Sequence, residues 1–348
     1  MNTPPSTPSR REILPRHIDL THGSGGRATA QLIETLFLAA FDNPWLRQGN
    51  DQACLDFPEG RVVVCTDGHV ISPLFFPGGD IGALAVHGTI NDLAMCGAKP
   101  LYLTASFILE EGFAVADLQR IVFSMAQAAR AAEVAIVAGD TKVVERGKGD
   151  GVFIATTGLG VVAPDLHISG DRAQPGDAIL LSGSLGDHGI AVMAQRENLS
   201  FHAPIVSDSA PLHDLVAAMV VAVPEIHCLR DPTRGGLATT LNELAKQSRV
   251  GMVIDETAIP VKPVVRAACE LLGLDPLYIA NEGKLVAVCP ASSAQQLLDV
   301  MRAHPLGRDA ALIGEVVADA QHWVRLRTSF GGMRMVDWLA SDPLPRIC

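Results

Sequence analysis

This sequence predicts two mixed α/β domains of similar size, and three observations lead there. The chain has 348 residues, 48% hydrophobic and 19% charged, a globular composition long enough for two cores. Short apolar runs bounded by Gly, Asp and Pro alternate with segments whose apolar residues recur at helical spacing. A polar, breaker-rich stretch, APDLHISGDRAQPGD at 163–177, interrupts the alternation near the midpoint and reads as a domain boundary.

The elements follow in order. Met1–Arg11 is Pro/Ser-rich without an apolar core, so it is not a secretory signal, and residues 1–16 read as a disordered leader. After a glycine-rich loop, Leu32, Ile33, Leu36, Phe37 and Phe41 mark a helix. Val62–Cys65 is a short buried strand ending at Thr66-Asp67-Gly68. Leu118, Ile121, Val122 and Met125 mark a second amphipathic helix. Val134–Val137 is a strand ending at Gly139-Asp140, and Phe153–Val162 is another. The second half opens with the strand Ala178–Leu181 and a Gly-rich turn into a helix. There follow the helix Leu237–Gln247, the strand Met252–Ile254, the helix Val264–Leu272 and the strand Leu285–Cys289. A helix near Ala294–Ala303 and the strand Ala311–Val317 complete the pattern. The alternation is too irregular to demand a doubly wound parallel sheet, and no short solenoid-type repeat is visible.

Bulk properties exclude some functions. A formal net charge of -11 with no Lys/Arg-rich run argues against nucleic acid or an anionic membrane surface as a partner. It leaves nucleotides open, because acidic sites bind phosphates through divalent cations. No apolar run approaches the ~20 residues of a membrane span. Seven cysteines form no CxxC pair and are odd in number, so neither a disulfide framework nor a zinc site is expected. Cys65 and Cys289 lie in apolar runs and read as small core residues. A reducing cytoplasm fits this usage.

Five constellations can carry chemistry. Thr21-His22-Gly23-Ser24-Gly25-Gly26-Arg27 leads into a helix, which suits anion binding, although it lacks a Walker A ending, no strand clearly precedes it, and by itself it reads first as a flexible loop. Asp51, Asp67, Asp92 and Asp231 sit at element ends near glycine or apolar runs. Carboxylates gathered this way suit magnesium, while each alone also reads as a cap or turn residue. Ala138-Gly139-Asp140-Thr141-Lys142 follows a strand, where Lys142 is either a positioned base or a surface lysine. Glu282, in Asn281-Glu282-Gly283-Lys284, is either a base or a turn residue. Finally, Pro345-Arg346-Ile347-Cys348 puts a thiol at the end of an arm made semi-rigid by Pro343 and Pro345, reaching roughly 25 Å over 341–348. No residue follows Cys348, so a prenylation signal is excluded; a stray surface cysteine remains the alternative.

These stretches together resemble the HypE family of hydrogenase maturation factors, within the superfamily of aminoimidazole ribonucleotide (AIR) synthase and selenide, water dikinase. The resemblance rests on HGSGGRA (22–28), SPLFFPGGDIGALAVHGTINDLAMCGAKP (72–100), AGDTKVVERGKGDGVFI (138–154), SGSLGDHGIAVM (182–193), DPTRGGLATTLNELA (231–245), ANEGKLVAV (280–288) and PRIC (345–348). It runs from about His17 to the terminus, and PRIC is its most specific element. His69 departs from it, since an aromatic is expected there.

The resemblance implies a PurM-like fold: an ATP-binding domain over 17–165 that dimerises through its sheet, an α/β domain over 175–340, and a mobile tail over 341–348. It implies an ATP-dependent carbamoyl dehydratase. A HypF-type carbamoyltransferase would load Cys348, ATP would activate the carbamoyl oxygen, and loss of water would leave a thiocyanate. A HypC–HypD iron scaffold would then receive the cyanide group. Asp51, Asp67, Asp92 and Asp231 would hold Mg²⁺ and the triphosphate, with Asp140 and Thr141 in the nucleotide pocket. Gly23, Ser24, Gly25 and Gly26 would cover the phosphates, and Lys142 and Glu282 would remove protons. Two rivals are a relative that phosphorylates a small molecule, which has no use for Cys348, and a nucleotide-regulated assembly protein whose tail anchors a partner.

Overall fold

The computed structural model describes residues 14–50, 52–199, 201, 203–339 and 346–348. Most of the leader, Asp51 and the tail segment 340–345 lie outside them. The first domain opens with a 3-10 turn, Leu20–Gly23, capped by Asp19. Next come α1 (Arg27–Leu32), a π-helical stretch (Ile33–Leu38) and α2 (Ala39–Phe41), which continue one another. The strand β1 (Arg61–His69), the short ladder of β2 (Phe75–Phe76) with β3 (Gly79–Asp80), and α3 (Ile81–Ala94) follow. Then come β4 (Lys99–Glu110), α4 (Val115–Ala131), β5 (Ala135–Val144) and β6 (Val152–Val162).

These strands form one sheet in the order β1-β6-β4-β5. Side chains alternate across a strand, so the two faces can be read directly. Cys65, Asp67 and His69 of β1 share a face with Phe107 and Thr141, because His69 pairs with Ile154, Ile154 with Phe107, and Phe107 with Thr141. α3 packs on that face against β1, β6 and β4. Leu84, Ile90 and Leu93 of α3 are fully buried, each contributing ~1.5–3 kcal/mol of burial free energy. Asp80 caps this helix by accepting from the Gly82 and Ala83 N–H groups. The opposite face carries Val62, Val64 and Ile108, all exposed, with Asp140 and Lys142.

The strand expected to end at Gly139-Asp140 runs on to Val144, because β5 stays paired in parallel with β4 through Val144. Asp140, Thr141 and Lys142 are therefore strand residues with fixed alternating directions rather than residues of a loop. Likewise β1 continues through Asp67 to His69.

The second sheet begins with β7 (Asp177–Leu181), directly after the breaker-rich stretch. The chain continues through α5 (Asp187–Arg196), α6 (His213–Ala222), β8 (Cys228–Arg230), α7 (Gly236–Ser248), β9 (Gly251–Asp255) and α8 (Pro263–Leu272). It closes with β10 (Val286–Pro290), α9 (Ala294–Ala303), β11 (Ala311–Val317), β12 (Val324–Arg327) and β13 (Met333–Met335). The sheet order is β13-β12-β9-β11-β7-β10-β8. Leu180 and Ala287 pack on one face with residues of α6 and α9, while Ile179 and Val288 pack on the other with α7. α5 and α8 instead join the core of the first domain, where Ile190 and Val265 meet Ile71, Phe76 and Ile347. The two domains thus share packed side chains around α5.

Candidate active site

The first concentration of expected residues is a cavity of about 210 Å³ against β5. Gly23, Gly25 and Thr29 line it from the loop and α1, Phe37 and Phe41 from the helix, and Asp140, Thr141 and Lys142 from the strand. Gly23 has to be glycine here, since a Cβ would lie 2.7 Å from the Val143 backbone nitrogen. Gly25 adopts φ +77°. An apolar floor with a polar strand edge and glycine backbone at the rim suits the base and sugar of a nucleotide. Lys142 Nζ lies 2.9 Å from Asp140 Oδ2 at the surface.

The second concentration is an acidic cleft of about 620 Å³ where β1 and α3 meet β8 and α7. Cys65, Asp92, Arg230, Asp231, Thr233, Arg234 and Thr240 are among its walls. Asp67 projects on the same face of β1 as Cys65. Its Oδ1 accepts from the Gly68 N–H at 2.8 Å, and its Oδ2 lies 3.6 Å from His69 Nε2. Loss of water, then the charges of Asp231 and Asp67, push the Asp92 carboxyl up to about 7. Loss of water pushes Asp231 up to about 6, against the pull of neighbouring Arg230. Among the described residues no three His, Cys, Asp or Glu side chains converge closely enough to hold a metal unaided. Magnesium does not require that, because it is held by one or two carboxylates together with phosphate oxygens. Mutually repelling carboxylates of this kind fit a dication.

Glu282, from the second domain, lies close enough to the cleft for the charges of Asp231, Asp67 and Asp92 to act on its carboxyl. Its side chain is buried, and its Oε1 has no hydrogen-bond partner among the described residues. Burial first, then the charges of Asp231, Asp208, Asp67 and Asp92, hold its carboxyl well above the usual range. Its backbone is fixed from three sides. Asp208 Oδ1 accepts from the Glu282 N–H at 3.2 Å, and Asp208 Oδ2 from the Gly283 N–H at 3.2 Å. Asn91 Nδ2 donates to the Glu282 carbonyl at 3.2 Å. Next to Glu282, Asn281 Nδ2 donates to the Pro232 carbonyl at 3.0 Å, tying the Asp231 loop to the Glu282 loop.

The terminal residues are seated between the segment after β1 and α5. Ile347 forms an antiparallel bridge with Ile71 and is buried. The Arg346 and Ile347 carbonyls and the Cys348 terminal carboxylate each accept a hydrogen bond. Arg346 O accepts from Ser72 N–H at 3.2 Å and Arg196 Nη2 at 2.9 Å. Ile347 O accepts from His188 Nε2 at 2.8 Å, and Cys348 O from Val70 N–H at 2.9 Å. The Arg346 guanidinium pairs with Asp150. Cys348 is half-buried against the shared core.

The structure therefore groups Gly23, Gly25, Asp140, Thr141 and Lys142 around one cavity. It places Asp67, Asp92, Asp231 and Glu282 around another site. Ser24 and Gly26 are exposed beside the first. Within one chain Lys142 and Glu282 are not brought together. Lys142 stands on the sheet face opposite Asp67 and three strands away from it, about 14 Å at ordinary strand spacing. Sequence reasoning gave no role to Asn91, His188, Asp208 or Asn281. Asn91, His188 and Asn281 lie inside segments that carry the resemblance, whereas no motif flagged Asp208.

Comparison with known proteins identifies the family. Residues 49–162 match the family described as AIR synthase related protein, N-terminal domain, and 174–326 its C-terminal domain. A curated relative from Cupriavidus necator, carbamoyl dehydratase HypE, is 69% identical over 332 residues, 95% of each chain. A crystal structure of the hydrogenase maturation protein HypE in complex with ATP superposes with a TM-score of 0.92 at 53% identity, covering 94% of this chain and 99% of that one. A HypE–HypF complex structure matches with a TM-score of 0.78 at 51% identity, covering 88% and 99%. The chain belongs to the AIR synthase related family and, within it, to the HypE carbamoyl dehydratases of hydrogenase maturation.

Proposed function

We propose that this chain converts an S-carbamoyl group on its own Cys348 into a thiocyanate at the expense of ATP. The observation that carries this reading is the seating of Arg346–Cys348 against the segment that directly follows β1, the strand of Asp67, with backbone oxygens held by both domains. The balance is R–S–C(O)NH₂ plus ATP giving R–S–C≡N, ADP and phosphate. The carbamoyl oxygen attacks the γ-phosphorus and ADP departs. The nitrogen then loses both protons as the C–O bond breaks, and the oxygen leaves in phosphate. Tethering raises the effective concentration of a weak amide-oxygen nucleophile. Glu282, once ionised, is a stronger base than an ordinary carboxylate because its surroundings disfavour the charge.

ATP fits with its base in the β5 cavity under Gly23 and Gly25 and its phosphates toward an acidic cleft. Asp67, Asp92 and Asp231 would hold magnesium there, which supplies charge neutralisation at the transferring phosphoryl group. Asp51 completes the expected set but lies outside the described residues. The solved HypE–HypF complex supports a carbamoyltransferase of the HypF type as the loader. A HypC–HypD scaffold is the proposed acceptor, in the cytoplasm.

A homodimer closing over the outer face of the β1-β6-β4-β5 sheet explains why Val62, Val64 and Ile108 are exposed on a face that α3 leaves uncovered. It also offers Lys142 a route to the partner's acidic cleft. The test of the overall reading is Cys348→Ala. It is expected to bind ATP as the parent does and to consume none when the carbamoyltransferase and its carbamoyl donor are added. Loss of ATP binding, or undiminished turnover, would contradict the division between tail and pocket.

A further inference from the structure

We infer that His188 is a positioning residue, a latch that holds the terminal tripeptide in register with Glu282. Four observations meet at this side chain. First, it is fixed at its root. It stands in the first turn of α5, which is anchored where Asp187 meets Lys262 Nζ at 3.0 Å and Ser184 Oγ at 2.7 Å, and where Gly186 N–H meets Asn281 Oδ1 at 2.8 Å. Second, the ring is fully buried and lies edge-on to Phe76, with centroids 5.4 Å apart.

Third, its hydrogen bonds define its tautomer. A carbonyl can only accept, so Nε2 carries the hydrogen and donates to Ile347 O at 2.8 Å. Nδ1 then accepts from the Ser207 hydroxyl at 2.8 Å. The Ser207 oxygen in turn accepts from Ser209 N–H at 3.1 Å. Fourth, the next residue, Asp208, holds the Glu282 and Gly283 N–H groups. Two consecutive residues, Ser207 and Asp208, thus fix the group that grips the tail and the loop that carries the base.

Withdrawing the tail leaves a buried N–H without an acceptor, which biases the equilibrium toward the seated state. Arg196, at the other end of α5, grips Arg346 O and so holds the arm at a second point. The inference rests on the dehydratase reading only for its consequence, namely that register matters for proton removal.

The test separates the two imidazole nitrogens. Glutamine places an amide N–H where Nε2–H lies. Asparagine reaches only the Nδ1 position. Full-length parent, His188→Gln and His188→Asn are treated with iodoacetamide at neutral pH without nucleotide or partner, and Cys348 alkylation is followed by peptide mass. His188→Asn is expected to alkylate about tenfold faster than the parent, the effect of one lost buried hydrogen bond. His188→Gln is expected to stay within about twofold of it. Buried Cys228 stays unmodified in all three and reports a folded core. Equal rates in the three proteins would overturn the inference. So would equal acceleration in both variants together with Cys228 labelling, which signals a loosened core rather than a lost latch. Should His188→Asn fail to fold, Ser207→Ala removes the hydroxyl that fixes the tautomer, and faster Cys348 alkylation is expected there too; an unchanged rate would overturn the inference. In single turnovers of carbamoylated protein, His188→Asn slows dehydration while ATP affinity is unchanged, and His188→Gln restores the rate. The alkylation arm needs no turnover, so failure of the latch and failure of the dehydratase reading are seen separately.

Discussion

The Glu282 N–H donates to Asp208 Oδ1 at 3.2 Å while the carboxyl oxygen Oε1 of the same Glu282 meets no hydrogen-bond partner among the described residues. Its backbone is held rigidly and its reactive atom is left open, the arrangement expected of a preorganised proton acceptor. Glu282→Gln keeps the shape and removes the base. Dehydration of the carbamoylated tail is expected to fall at least about 100-fold in single turnovers, the lower bound for losing a general base. Loading by the carbamoyltransferase and ATP affinity should be retained. Undiminished thiocyanate formation would remove Glu282 from the mechanism.

Asp208 and Lys284 form a buried ion pair at 3.0 Å. Burial opposes the charge on Asp208, but Lys284, His188 and the Glu282 N–H together hold its carboxyl below the usual range. Truncating one partner strands the other, so Asp208→Ala should cost about 3–5 kcal/mol in denaturant unfolding. The double variant Asp208→Leu/Lys284→Met should lose less than the single one. Dehydration should nonetheless drop in the double variant, because the Glu282 and Gly283 N–H groups have lost their acceptor.

Lys142 and Glu282 lie on opposite sides of one sheet, so a role for both at one centre requires a second copy. Mixing inactive Lys142→Ala with inactive Glu282→Gln, after exchange of subunits, should restore about a quarter of parental activity. Half of the dimers are then mixed, and each carries one intact site of two. No recovery after verified exchange would confine each site to one chain.

Burial pushes the His188 imidazole below its ordinary value of 6.5, and the Ile347 carbonyl and the Asp208 charge, which act the other way, do not offset it. The unfolded chain takes up a proton near that value and the folded chain only at lower pH. Stability therefore falls as pH drops below about 6.5, by at most ~1.4 kcal/mol per unit from this group. His188→Gln removes this contribution. Its denaturation midpoint should decline less than the parent's between about pH 7.5 and about pH 5.5. Parallel curves would show that His188 does not titrate differently on unfolding.

Much of the strand and helix pattern of the second domain was legible because its elements are short and bounded by glycine, aspartate and proline, but α6, β8, β12 and β13 were not read. α3 was not, because its buried residues surround it and leave no polar stripe to set a period. Asp140 and Lys142 looked like residues beyond a strand end, since nothing local reveals that β4 is long enough to extend the ladder through Val144. Asp208 and His188 were silent for another reason: their partners lie 74 and 159 residues away in sequence. Chemistry-bearing residue types can be read from one chain, but a hydrogen bond between distant segments exists only once the fold is made. The tail shows both limits. Its prolines predict an arm, while its seat depends on β1, α5 and the Ser72 backbone.

The most direct test is the intact mass of the C-terminal peptide after incubation with the carbamoyltransferase, carbamoyl phosphate and Mg-ATP. The account predicts a carbamoyl adduct on Cys348 that becomes one water lighter only when ATP is available to this protein. An unmodified Cys348 with ATP still hydrolysed would contradict it and point instead to phosphorylation of a small molecule.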